Sequence, residues 1–202
     1  NNNLVTERTT DGTLVTQRQV FQQPLNIEFL PDGGMLVICR NQILQWNKDG
    51  KQEWACQRPN YDILGGCRMP NGDVLFVTNA YNGENAFRLD QKGEYQNKNN
   101  DPKKRIQFGR IQQLQSMHAF AEDKVLVCEF NKVAEYDLKT GKQTWSHTTP
   151  PNSAQSCQRL PNGNTLISLL NQNQLIEVDP SGETVWEYQA KDGLRVGRAY
   201  RR

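Results

Sequence analysis

Apolar positions along this chain come in short runs, and tight polar clusters end each run. The stretch from Ser156 to Tyr188 shows the pattern whole. SCQRL is extended, and PNGN turns at Pro161 and Gly163. TLISLL is apolar and β-branched, and NQNQ interrupts it. LIEVD resumes the run, PSG turns again at Gly182, and TVWEY closes the stretch. Apolar, β-branched runs bounded by Pro, Gly, Asn and Asp predict strands and turns. No long segment keeps the 3.6-residue apolar period of a helix. The stretch therefore predicts a four-stranded antiparallel meander.

The unit recurs. LPDGGMLVICRNQILQWNKDGKQEW runs from Leu30 to Trp54, MPNGDVLFVTNAYNGENAFRLDQKGEY from Met69 to Tyr95, and FAEDKVLVCEFNKVAEYDLKTGKQTW from Phe120 to Trp145. The glycines of the second turns are Gly12, Gly50, Gly93, Gly141 and Gly182, about 38, 43, 48 and 41 residues apart. That period signals a β-propeller. Trp54, Trp145 and Trp186 each follow their glycine at one fixed offset. They are expected to be buried in a repeated slot between neighbouring sheets.

The expected fold is all-β, a propeller of about five four-stranded antiparallel blades forming a single domain over 1–202. The blades read as 21–57, 58–99, 100–149 and 150–190. Residues 1–20 match the second half of a unit, and 191–202 match a first strand. The two ends are suited to sharing a fifth blade, although neither carries a counterpart of TLISLL. The chain is also readable as a fragment or subunit of a larger bacterial assembly.

Composition narrows the function classes. The chain has 202 residues, 36% of them hydrophobic, with 24 Lys and Arg against 22 Asp and Glu, for a net charge of +2. That balance does not favour nucleic acid or a membrane surface, and no apolar run is long enough for a transmembrane helix. Cys39, Cys56, Cys67, Cys128 and Cys157 are odd in number and lack CxxC spacing. They read as buried thiols, with one disulfide plus spare thiols as the alternative. Lys103, Lys104, Arg105 and Arg110 lie in a departure from the repeat at 100–114, which reads as a solvated loop, an extra hairpin or a contact loop for an acidic partner. Arg195, Arg198, Arg201 and Arg202 allow the same readings.

RLPNGNTLI followed by IEVDPSGETVW resembles bacterial β-propeller repeats of the PQQ-like and arylsulfotransferase-like kind, and EYDLKTGKQTW, Glu135 to Trp145, resembles the tryptophan motif of PQQ-enzyme blades. The PQQ dehydrogenase side of the resemblance implies eight blades, a bound quinone and calcium. This chain has about half those blades and no adjacent cysteine pair, so no cofactor and no metal are expected. The arylsulfotransferase side implies six blades and a histidine that takes a sulfuryl group. His118, on a first strand, is the weak catalytic candidate, while His147 is peripheral. The resemblance also favours an extracytoplasmic location.

First strands of propeller blades line a central channel. One register position holds Glu28, Cys67, His118 and Gln158, and the next holds Arg68 and Arg159. The first set reads as the polar wall of a wet channel or as a metal or thiolate site. Arg68 and Arg159 are ligand-binding candidates, and Trp46 and Tyr81 are candidate stacking platforms for a glycan. The favoured function is a non-catalytic binding or scaffolding module with a protein or glycan partner. The alternatives are sulfuryl transfer through His118 and a carbohydrate-binding propeller.

Overall fold

The computed structural model describes residues 3–9, 11–20, 23–58, 60, 62–79, 85–96, 106, 108–111, 116–191 and 195–201. They form two compact units, Asn1–Ile63 and Leu64–Arg202.

The first unit holds a hairpin, β1 (Leu4–Arg8) and β2 (Leu14–Gln19), and a four-stranded sheet of β3 (Pro24–Phe29), β4 (Met35–Cys39), β5 (Gln42–Trp46) and β6 (Gln52–Gln57). β7 (Ile63–Arg68) opens a three-stranded sheet with β8 (Val74–Thr78) and β9 (Asn85–Leu89). The second unit continues with two four-stranded sheets. One comprises β10 (Met117–Ala121), β11 (Lys124–Cys128), β12 (Lys132–Asp137) and β13 (Gln143–Thr148). The other comprises β14 (Ala154–Arg159), β15 (Thr165–Leu169), β16 (Gln174–Val178) and β17 (Thr184–Gln189).

The fold is an all-β propeller with four blades, not about five. Among the described residues β1 pairs only with β2, and 195–201 form no strand. Each of the four blades is built on a doubly covered second strand, and neither the β1–β2 hairpin nor 195–201 contains one. Those second strands, β4, β8, β11 and β15, are almost continuously apolar and buried. A strand covered on both faces has no polar side to show, so it loses the alternation of a surface strand. β13 keeps it, QTWSHT alternating between half-buried and exposed positions from Trp145 on.

The turns repeat down to single hydrogen bonds. The N–H groups of Gly33, Gly72 and Gly163 donate to Leu30, Met69 and Leu160. In the second turns Asn47, Asp90, Asp137 and Asp179 accept backbone N–H groups on their side chains. Gly182 has φ 96°, a region where a Cβ is penalised. A register shift recurs between third and fourth strands, at Gln45/Trp46, Glu135/Tyr136 and Glu177/Val178. Such bulges sharpen the twist that blades need.

Val5 and Val20 of the hairpin region share one apolar cluster with Met35, Val37, Leu44 and Trp46. Arg18 donates to the Gly50 carbonyl at 3.0 Å, and its guanidinium lies 5.5 Å from the Trp46 ring centre. The hairpin region thus packs on the first full blade. In the second unit one cluster joins Phe108 and Ile111 to Val125, Val127 and Tyr136, and another joins Cys128 and Val133 to Cys157 and Ile167. All five cysteines are buried free thiols. Lys103, Lys104, Arg105 and Arg202 lie outside the described residues. The described part of 100–114 is not a solvated loop. Gly109 N–H donates to buried Glu129 Oε1 at 2.8 Å, and Arg110 stacks on Phe130 at 4.9 Å. No helix among the described residues is long and apolar enough to cross a membrane.

Candidate functional site

The predicted register recurs within individual sheets. His118 pairs with Leu126, Gln158 with Leu166 and Glu28 with Leu36. On the next strands those leucines face Glu135, Glu177 and Gln45. Equivalent positions in the sequence are therefore equivalent in the sheets.

His118 and Gln158 do not simply face water. His118 Nδ1 accepts the backbone N–H of Arg159 at 3.1 Å, and Ser116 Oγ accepts that of Cys157 at 3.2 Å. Ser116, just before β10, and His118 on it thus stitch onto backbone two apart on β14. Gln158 Oε1 in turn accepts the N–H of Arg201 at 2.7 Å, and Ser156 Oγ accepts that of Ala199 at 3.0 Å.

Beside the stitch lies a cavity of about 480 Å³, lined by His118, Phe120, Gln158, Arg159, Pro161 and Arg201 among others. Burial, and then the charge of Arg159, push the His118 imidazole down to about 4. The ring is neutral at physiological pH. Because Nδ1 accepts a hydrogen bond, the proton sits on Nε2. A ring in that tautomer offers a donor at Nε2 and no lone pair there for attack. Phe120 stacks on it at 6.2 Å.

Arg159 and Arg201 each pair with a carboxylate. Arg159 donates to Glu135 Oε2 at 2.6 Å, to the Gly163 carbonyl at 2.9 Å and to Thr165 Oγ1 at 2.7 Å. Its guanidinium lies over Phe120 and Trp145, 5.3 and 5.0 Å from the ring centres. Burial opposes ionisation of Glu135, but hydrogen bonds from Thr144 and Lys124 and the charge of Arg159 hold it below the ordinary carboxylate range. Arg201 pairs with Glu177 at 2.9 Å. Hydrogen bonds from Asn164 act first on Glu177; with those from Asn162 and the charge of Arg201 they outweigh burial, so its carboxyl also lies low.

The other candidates lie apart from this cavity. Cys67 is buried in the apolar cluster of the second unit, so it is not an exposed channel group. Arg68 ends β7, its guanidinium against Gly72. Glu28 is in the first unit and accepts from Asn26 at 2.9 Å. Trp46 is only 7% exposed, because Arg18 and the hairpin region cover it, so it is no stacking platform. Tyr81 lies outside the described residues. Among the described residues no three His, Cys, Asp or Glu side chains are grouped to hold a metal ion. The stitching serines, Ser116 and Ser156, escaped notice in the sequence. The signal was present, since each stands two residues before His118 or Gln158.

The tryptophans diverge. Trp145 is half-buried and donates Nε1–H to the Pro180 carbonyl of the next sheet at 3.1 Å. Beside it, His147 Nδ1 lies 3.2 Å from the Gly182 carbonyl. Trp54 is half-buried. Trp186 is 42% exposed on β17, whose residues are all exposed; no further sheet covers it among the described residues.

The family model described as outer membrane protein assembly factor BamB matches residues 1–188. Among solved structures, a Bacteroides caccae protein of unknown function aligns with TM-score 0.75 and 15% identity, covering 93% of this chain and 69% of that one. Virginiamycin B lyase from Staphylococcus aureus aligns with TM-score 0.66 and 16% identity, covering 95% of this chain and 64% of the lyase. A streptogramin B lyase aligns with TM-score 0.63 and 15% identity, over 95% of this chain and 63% of the lyase. The chain thus spans less than two thirds of either lyase. No curated protein matches it.

Proposed function

We propose that this chain, which belongs to the family of the outer membrane protein assembly factor BamB, is a non-catalytic propeller module that binds a protein partner. The observation that carries the reading is the hydrogen bond from Arg159 N–H to His118 Nδ1. It gives the one first-strand histidine a structural task and fixes its proton on Nε2. A histidine that takes a sulfuryl group needs a lone pair on the atom facing the substrate. The arginines beside His118 are already engaged by Glu135 and Glu177 rather than held free for a developing anion.

The family description points to the assembly of outer membrane proteins, which favours a protein partner over a glycan and an extracytoplasmic location. The burial of Trp46 weakens the carbohydrate reading further.

A second reading, an enzyme, draws on the cavity that holds His118, Arg159 and Arg201 together, and on the fold shared with the lyases. At 15–16% identity that likeness carries the fold alone.

The test uses the purified chain and His118→Ala. Both are assayed for aryl sulfate turnover, for streptogramin lyase turnover, and for binding to extended segments of an outer membrane β-barrel protein. Binding by both proteins without turnover is the expected result. Turnover by the wild type that disappears in His118→Ala overturns the proposal.

A further inference from the structure

The joint between the third and fourth blades has a chemical rule. The receiving side supplies two acceptors two residues apart, Ser116 and His118, and a carboxylate, Glu135. The incoming side supplies a small residue and an arginine two places on, Cys157 and Arg159. The two N–H groups meet the two acceptors, and the guanidinium reaches the carboxylate.

The fourth blade displays the same receiving set, and it is filled. Ser156 and Gln158 are the acceptors, and Glu177 is the carboxylate. Ala199 and Arg201 are the small residue and the arginine. The arginine–glutamate separation is 24 residues in both cases. Gln158 improves on His118 in one respect. Its Nε2 also donates to the Arg201 carbonyl at 2.9 Å, so the amide clamps both polar groups of one residue. Unlike Arg159, residues 199–201 belong to no strand, and Tyr200 is 54% exposed.

We infer that Ser156, Gln158 and Glu177 form a recognition site for an extended peptide segment of sequence small residue, any residue, arginine, and that Ala199–Tyr200–Arg201 is its resident ligand. The backbone clamps fall on the first and third residues of the segment. Selectivity rests on two features: the lack of bulk at the first position and a fork-shaped cation at the third. The inference is independent of whether the cavity beside it does chemistry.

The test is amide hydrogen exchange on the full chain. Ala199 and Arg201 should exchange at least about tenfold more slowly than an unstructured chain. Gln158→Leu should abolish the protection of Arg201, whereas Gln158→His, which copies the joint at His118, should retain it. A labelled peptide of the sequence at 195–202 is then titrated against Arg201→Ala protein, whose own segment has lost its anchor. It should bind at least about tenfold more tightly than the same peptide carrying R201A. Unprotected amides in the wild type, an unchanged Arg201 rate in Gln158→Leu, or equal binding of the two peptides overturns the inference.

Discussion

His118 Nδ1 accepts the backbone N–H of Arg159 at 3.1 Å, so a side chain of one blade hydrogen-bonds the backbone of the next. The bond needs an unprotonated Nδ1, and this gives the joint a pH dependence. The folded ring titrates at about 4 against an ordinary 6.5. Between those values the unfolded chain binds a proton that the folded ring refuses. Stability is therefore fully present above about pH 6.5 and falls as the pH drops through about 4. The full shift would be about 3 kcal/mol, and the partial exposure of the ring reduces this to about 1–2 kcal/mol. Urea melts at pH 7 and pH 4.5 should show this loss in the wild type. His118→Gln should lose less between the two, since glutamine keeps the acceptor and does not titrate there. Equal slopes would deny His118 this role.

The Arg159–Glu135 pair is nearly dry, with 12% and 14% of the side chains exposed. Removing one partner strands the other, so Glu135→Ala should cost about 3 kcal/mol or more. Arg159→Lys should recover only part of the loss of Arg159→Ala, because an ammonium cannot satisfy Glu135, Thr165 and the Gly163 carbonyl with one planar fork. Chemical denaturation of the three variants measures both effects.

Trp145 and Trp186 occupy equivalent places and should respond differently. Trp145→Ala removes a ring held between Arg159 and Pro180, and should cost about 3 kcal/mol. Trp186→Ala trims an exposed ring and should stay below about 1 kcal/mol. Thermal melts of the two variants read the contrast directly.

Gly109 has no room for a methyl group. A Cβ there would sit 2.1 Å from Glu129 Oε2, and Glu129 is buried, accepting from Tyr136 Oη and from Gly109 N–H. Gly109→Ala should destabilise the protein by about 2 kcal/mol or more and expose the Phe108–Tyr136 contact, now 4.9 Å between ring centres. Tyrosine fluorescence together with urea melts would check it.

The five cysteines should be unreactive toward an aromatic disulfide reagent in the native protein and should all react in denaturant. They are buried free thiols, and burial pushes Cys39 up to about 12. A native titre above about one thiol would contradict this burial.

What the sequence determined by itself was local. A positive φ at a turn glycine, an apolar run with no polar face and an Asp capping the next amides are short-range constraints. They are written in adjacent residues such as Asp179 to Glu183. The equivalence of Glu28, His118 and Gln158 was legible for the same reason, because each sits at one offset from its turn. What only the tertiary structure decided was which neighbour each repeated residue meets. Trp145 has Pro180 over it, whereas Trp186 is 42% exposed with no further sheet over it among the described residues. Trp46 reads as a free aromatic until Arg18, far back in the chain, lies over it. His118 reads as a catalytic candidate until the Arg159 N–H fixes its tautomer. Sequence period records that strands repeat. Burial, tautomer and charge pairing depend on contacts between residues 24 to 41 places apart, and one period's spacing does not encode them.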